Sequence, residues 1–261
     1  MHSGAPRLQP GPRLRAGAVP YLNAKPLTSG LAASTVLDLR EEAPSLLAAE
    51  LAEGRLDLAL LPAFAVLARP GLKAADGIAI GSDGPVRSVL LYSRRPLASL
   101  RTLAPDPASM SSNALVRILL AEIHGVRPAP AAPQEAEAVL VIGDAAMKPR
   151  PGNWEAVLDL GEAWRSLTGL PFVYALWAGP ALDAATGEIL RTAAHKGLED
   201  RPGIARREAA ALGLDEAETL TYLTRHIRYE LGGRQHAGLR TYAGLLRSHG
   251  LLESALEPAW V

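Results

Sequence analysis

Three short apolar runs constrain this chain more than any other feature. They are Asp57-Leu58-Ala59-Leu60-Leu61-Pro62, Ala138-Val139-Leu140-Val141-Ile142-Gly143-Asp144 and Pro171-Phe172-Val173-Tyr174-Ala175-Leu176-Trp177. None alternates polar with apolar, so each reads as a strand covered on both faces, the situation of a sheet layered between helices. Pro44 to Glu53 reads as a helix, with Pro44 near its start and Gly54 just past its end. Gly77 to Ile80 and Val86 to Tyr92 read as two further strands joined by the turn Gly81-Ser82-Asp83-Gly84-Pro85. Ala114 to Ile123 is amphipathic and follows Ser109-Met110-Ser111-Ser112-Asn113, where a hydroxyl can cap a helix by accepting from an orphan N–H.

The order of these pieces repeats once. Strand, polar turn, helix, buried strand and second turn occur first with Asn23 and Pro62, then with Ser109 and Asp144. The pattern predicts an α/β protein of two lobes facing across a cleft. The expected division is a loose leader over residues 1–14, lobe I from 15–93 and 178–261, and lobe II from 94–177. Val86 to Tyr92 would carry the chain out, and Pro171 to Trp177 would carry it back, so that two crossing strands form the hinge. From about Asp183 the pattern is helical, over Ala184–Leu198, Gly203–Ala211, Asp215–Tyr229 and Arg234–Ser248.

Lys+Arg and Asp+Glu balance at 27 each, which removes the broad electrostatic drive towards nucleic acid or an acidic membrane surface. There is no cysteine, so thiolate nucleophiles, disulfides and Cys-based metal sites are excluded. The six histidines form no i, i+4 ligand pair with a carboxylate partner, and structural roles are expected for them. No Gly-x-Ser-x-Gly elbow, phosphate loop or dinucleotide fingerprint occurs, so no nucleotide cofactor is expected, and the residues left describe a cleft with no metal, cofactor or thiol. The opening MHSGAPRLQPGPRL has no apolar core of a secretory signal, and no apolar run reaches transmembrane length. A cytoplasmic protein without membrane or nucleic-acid partners is the expectation.

The chemical candidates lie in the turns. Residues 18–31 run from a strand into a helix through a polar turn centred on Asn23. Ligands of open α/β sheets sit at such carboxyl ends. Asn23 offers a neutral donor and acceptor, and a helix starting near Pro26 would add free N–H groups for an anion, although the same residues also make an ordinary turn. Ser88 falls within an expected strand, where it is odd facing a core and sensible facing a cleft. Ser109, Ser111 and Ser112 include at least one helix cap. Asp144 has a plain reading as a turn residue, Arg87 can meet a carboxylate or water, and Phe172 and Trp177 suit a core or lobe contact. Together they describe a cleft rich in hydroxyls, amides and helix ends, suited to a small anion.

Several segments, in order from Arg15 to Leu251, resemble the chorismate dehydratases of menaquinone biosynthesis by the futalosine route. They are Val19-Pro20-Tyr21-Leu22-Asn23-Ala24-Lys25-Pro26-Leu27, Asp57 to Ala63, Gly84 to Ser93, Ser109 to Leu115, Ile142 to Ala146, Asp159 to Trp164, Leu170 to Trp177, and Ile227 to Gly232 with Gly238-Leu239. The resemblance implies a two-lobed fold like the periplasmic binding proteins of the second type. It also implies loss of water from chorismate to give 3-[(1-carboxyvinyl)oxy]benzoate, with no metal or cofactor. Asn23 would be the catalytic residue, with Tyr21, Ser88, Ser109, Ser111, Ser112, Gly143 and Asp144 contacting substrate. Met110 and Ser111 depart from the usual Arg and Thr. Serine keeps the hydroxyl, whereas the missing arginine leaves open which group meets one substrate carboxylate. A small-anion binding or effector module on the same fold, and the related cyclase of the pathway, are the competing readings; a homodimer is compatible with the chain.

Overall fold

The computed structural model describes residues 13–261, so the expected leader lies, up to residue 12, outside the described residues. The strands are β1 (Leu14–Ala18), β2 (Leu37–Glu41), β3 (Leu58–Pro62), β4 (Lys73–Ala74), β5 (Gly77–Ser82), β6 (Val89–Ser93), β7 (Thr102–Ala104), β8 (Ala129–Pro130), β9 (Ala138–Ile142), β10 (Ala156–Asp159), β11 (Phe172–Gly179), β12 (Arg228–Leu231) and β13 (Ala259–Trp260). They form two sheets. The first runs β12-β5-β11-β3-β1-β2, with β4 on β11 and β13 on β4, and the second runs β10-β6-β9-β7-β8.

Strand β3 is buried along its whole length, as its unbroken apolar run predicts, and lies between β1 (parallel) and β11 (antiparallel). Parallel pairing of β1 with β2 and β3 requires crossovers, which the helical segments Leu22–Leu31 and Pro44–Ala52 supply. In the second sheet β9 lies between β6 (antiparallel) and β7 (parallel). The 15-residue helix Met110–His124 packs on β9 and ends at Gly125, whose φ of 69° gives the left-handed turn that stops it.

The two sheets divide the chain at points other than those expected. Strand β6 pairs in the second sheet, while β11 is a central strand of the first. The segments that pass between the two sheets are therefore the short connections at residues 83–88 and 169–171, rather than the expected crossing strands over residues 86–92 and 171–177. Apolarity marks a strand as buried but does not say which sheet buries it; β11 joins the first sheet because it pairs with both β3 and β5.

The helical tail also departs at one point. The helix expected over Asp215–Tyr229 stops at Thr221, passes through a π-helical turn at Tyr222–His226 and becomes β12 on the edge of the first sheet. Arg228-Tyr229-Glu230-Leu231 alternates exposed and buried, the strand period, in a segment too short to stand out beside a helix. Among the described residues, no helix is long and apolar enough to cross a membrane.

Candidate active site

Two loops, one from each sheet, meet at the cleft. After β1 the chain enters a tight turn at Leu22–Ala24, which places Asn23 on the cavity wall. Opposite it, β9 is followed by Gly143, whose φ of 66° favours glycine. A Cβ there would lie 3.4 Å from the Tyr21 ring, so the aromatic face of one lobe rests on the bare backbone of the other. Next to this contact the Asp144 carboxylate accepts from the Leu22 N–H, at 3.1 Å to Oδ1. Burial raises the Asp144 pKa; the Leu22 N–H opposes it, Glu208 adds to it, and Lys25 and Lys148 pull it back. Burial, with Asp106 and Asp144 nearby, also raises the Tyr21 phenol, which stays protonated as a potential donor.

The Asp144–Leu22 contact corrects one expectation. The turn leading to Pro26 was expected to offer free N–H groups to an anion, but its entrance receives the protein's own carboxylate. Asp144 is spent on that backbone and lies outside the cavity wall.

Ser88 owes its position to a strained crossover. Arg87 sits at φ 65°, costly for a side chain with a Cβ. The Asp159 carboxylate holds it there, accepting from Val86 N at 3.0 Å and Arg87 N at 2.8 Å while also receiving Gly161 N at 2.9 Å. Gly161 lets the crossover come this close, since a Cβ there would stand 2.5 Å from the Gly84 carbonyl. Ser88 thus precedes β6 instead of lying inside a strand, and its carbonyl accepts from Gly143 N at 2.8 Å.

The helix Met110–His124 brings the remaining hydroxyls. Ser109 is its cap, Oγ accepting from Ser112 N at 3.1 Å. Asp106 and Asn113 tie the preceding loop, with Asn113 Nδ2 donating to the Asp106 carbonyl at 2.7 Å. Ser111 Oγ donates to the Tyr174 carbonyl at 3.2 Å and accepts from Phe64 N at 3.1 Å. That hydroxyl joins the helix of the second sheet to two elements of the first, and this uses most of its bonding capacity.

The cavity holds about 80 Å³ of space open to water-sized molecules. Tyr21, Asn23, Ser88, Ser109, Ser111, Ser112 and Gly143 line it, between apolar walls that include Leu60, Pro62, Ile80, Val89 and Ile142. No lining residue is formally charged. Asn23 Oδ1 is buried and, among the described residues, has no hydrogen-bond partner. Such an orphan is costly in a finished core and useful where a ligand supplies the missing donor. Sequence reasoning missed Asp159 and Tyr222: Asp159 stood only in a matching segment, and Tyr222 in an expected helix. Phe172 and Trp177 are core residues, both essentially fully buried.

The model of a family described as "Menaquinone biosynthesis" matches residues 14–248. This chain belongs to that family. Similar curated proteins are the chorismate dehydratase of Campylobacter jejuni, 26% identical over 85% of this chain and 88% of that protein, and the chorismate dehydratase of Thermus thermophilus, 29% identical over 75% and 82%. The family and these relatives agree with the resemblance read from the sequence. Solved structures agree with the expected fold. A protein of Archaeoglobus fulgidus superposes with a TM-score of 0.71 at 16% identity over 92% of this chain and 98% of that one. The periplasmic aliphatic sulphonate binding protein of Escherichia coli does so with a TM-score of 0.60 at 16% identity over 95% and 96%. The two-lobed periplasmic-binding-protein fold is therefore the architecture of this family member.

Proposed function

We propose that the protein dehydrates chorismate to 3-[(1-carboxyvinyl)oxy]benzoate. The observation that carries this reading is a cavity without charged lining that gathers the Asn23 amide and the hydroxyls of Ser88, Ser109 and Ser112. The relatives named chorismate dehydratase support it.

The ring proton beside the enolpyruvyl ether is conjugated through a double bond to the ring carboxylate. Its removal gives an extended enolate, and expulsion of the neighbouring hydroxyl as water completes a benzene ring. Aromatisation drives the reaction, so no electron sink is required of the protein. The protein's work is to position the substrate, exclude water and stabilise developing charge with fixed dipoles. The lining offers no general base, and the substrate's own enolpyruvyl carboxylate takes the proton. Asn23 orients that group or the departing hydroxyl, while the serine hydroxyls and the first turn of Met110–His124 hold the carboxylates. Closure of the lobes dries the site.

Incubating the purified protein with chorismate tests the assignment. Appearance of the aromatic product, followed by absorbance and mass, is expected. Tight binding without turnover would replace the enzyme reading with that of a binding module, and neither binding nor turnover would overturn the substrate.

A further inference from the structure

Tyr222 is the first residue of the π-helical turn, and its hydroxyl reaches the cavity wall from behind. The turn is real by its hydrogen bonding: Ile227 N donates to the Tyr222 carbonyl at 3.1 Å, a span of five residues. Such turns are rare, insert an extra residue into a helix, and frequently occur at functional sites. This one grips the crossover twice. Tyr222 Oη donates to Ser88 Oγ at 2.8 Å, and His226 Nδ1 meets the Pro85 carbonyl at 3.0 Å.

A phenol has one proton, and this one is given to Ser88. Ser88 Oγ therefore accepts on that side, and its own proton is directed elsewhere, with the cavity as the open direction. Asn23 stands on the same cavity wall as Ser88, and among the described residues its buried Oδ1 has no hydrogen-bond partner. Burial raises the Tyr222 phenol above its ordinary value, so it remains a neutral relay at working pH.

We propose that Tyr222 is a positioning residue for the reaction, one that touches no reacting atom but fixes the polarity of Ser88. Its hydroxyl occupies an acceptor site of Ser88 Oγ, so that Ser88 presents a donor to the same ligand that meets the Asn23 acceptor. A hydrogen bond of this kind holds a hydroxyl rotor in one state. Without the phenol, Ser88 is free to turn its proton inward. The proposal rests on the dehydratase reading above and deepens it.

The test is Tyr222→Phe, which removes one oxygen and keeps the ring. The expected result is a folded protein with nearly unchanged KM and a kcat lower by about 10- to 100-fold, the size of one lost orienting hydrogen bond. Adding Tyr222→Phe to Ser88→Ala should cost less than about twofold further, because both changes break the same hydrogen bond. Losses that multiply in full, an unchanged kcat in Tyr222→Phe, or a variant that does not fold each overturn the proposal. A wild-type protein that leaves chorismate unchanged instead overturns the functional reading, and the proposal with it; that failure shows in the unmodified protein.

Discussion

The two turns that open onto the cavity begin alike and end differently. At the first, Tyr21-Leu22-Asn23 leads into a helix of only four residues, Lys25–Thr28, and the turn's leading N–H is met by Asp144 from across the cleft. At the second, Ser109 leads into the 15-residue helix Met110–His124, and the hydroxyls around its first turn stand on the cavity wall. One turn is closed by the protein's own carboxylate and leaves the Asn23 amide on the cavity wall. The other leaves hydroxyls at a helix start, where an anion is favoured. In the proposed reaction the first turn would orient the reacting part of the substrate, and the second would carry its charge.

Asn23→Ala breaks this contrast most severely. It should keep the fold and reduce turnover by about 100-fold or more, the scale of losing one preorganised polar contact to developing charge. Asn23→Asp should do the same, since a carboxylate there faces a substrate that already bears two. Near-normal kcat in both purified variants would remove Asn23 from the mechanism.

The second turn predicts a change in binding instead. Ser112→Ala should raise KM by about tenfold, as loss of one hydrogen bond to a charged group would, with little change in thermal stability. Ser109→Ala should raise KM similarly and cost about 1 kcal/mol of stability besides, because its oxygen also caps the helix. A pair of variants that lowered kcat alone would erase the distinction between the two turns.

The smallest effect concerns the closed turn. Burial raises the Asp144 carboxyl above its unfolded value, so its charge opposes folding at neutral pH. Asp144→Asn keeps an acceptor for Leu22 N–H without that charge, and should melt slightly higher than wild type at pH 7. Stability gained by protonating wild-type Asp144 is lost as pH rises through its folded pKa. On acidification the advantage of the variant should therefore shrink, and it should vanish below the ordinary Asp range near 3.9. Melting temperatures across pH check the sign, and an advantage that grew in acid would contradict it.

Much of this was legible in the chain because it is written locally. Unbroken apolar runs announced β3, β9 and β11, and Ser109 with its following hydroxyls announced a capped helix. The polar turn at Asn23 and the ordered family-like segments gathered the cavity's hydroxyls in advance. What could not be read depends on distant partners. Arg87 shows no sequence sign of its positive φ, because the carboxylate that holds it lies 72 residues away. Tyr222 looked like one residue in a helix, and only the π turn and the crossover give its hydroxyl a purpose. The sheet to which β6 and β11 belong is likewise a property of pairing, not of composition.

The uncharged cavity has a consequence for the proposed reaction. With no lysine or arginine in the lining, the two carboxylates of chorismate would be the largest charges in that space. Recognition would then fall to dipoles fixed by covalent geometry and hydrogen bonding, which counter-ions would not reach once the site was shut. A carboxylate-bearing metabolite of the wrong shape would gain no salt bridge on entering. Selectivity would thus be enforced by the dehydration cost of the guest, and only a molecule that satisfied every fixed dipole at once would recover what it gave up to leave water.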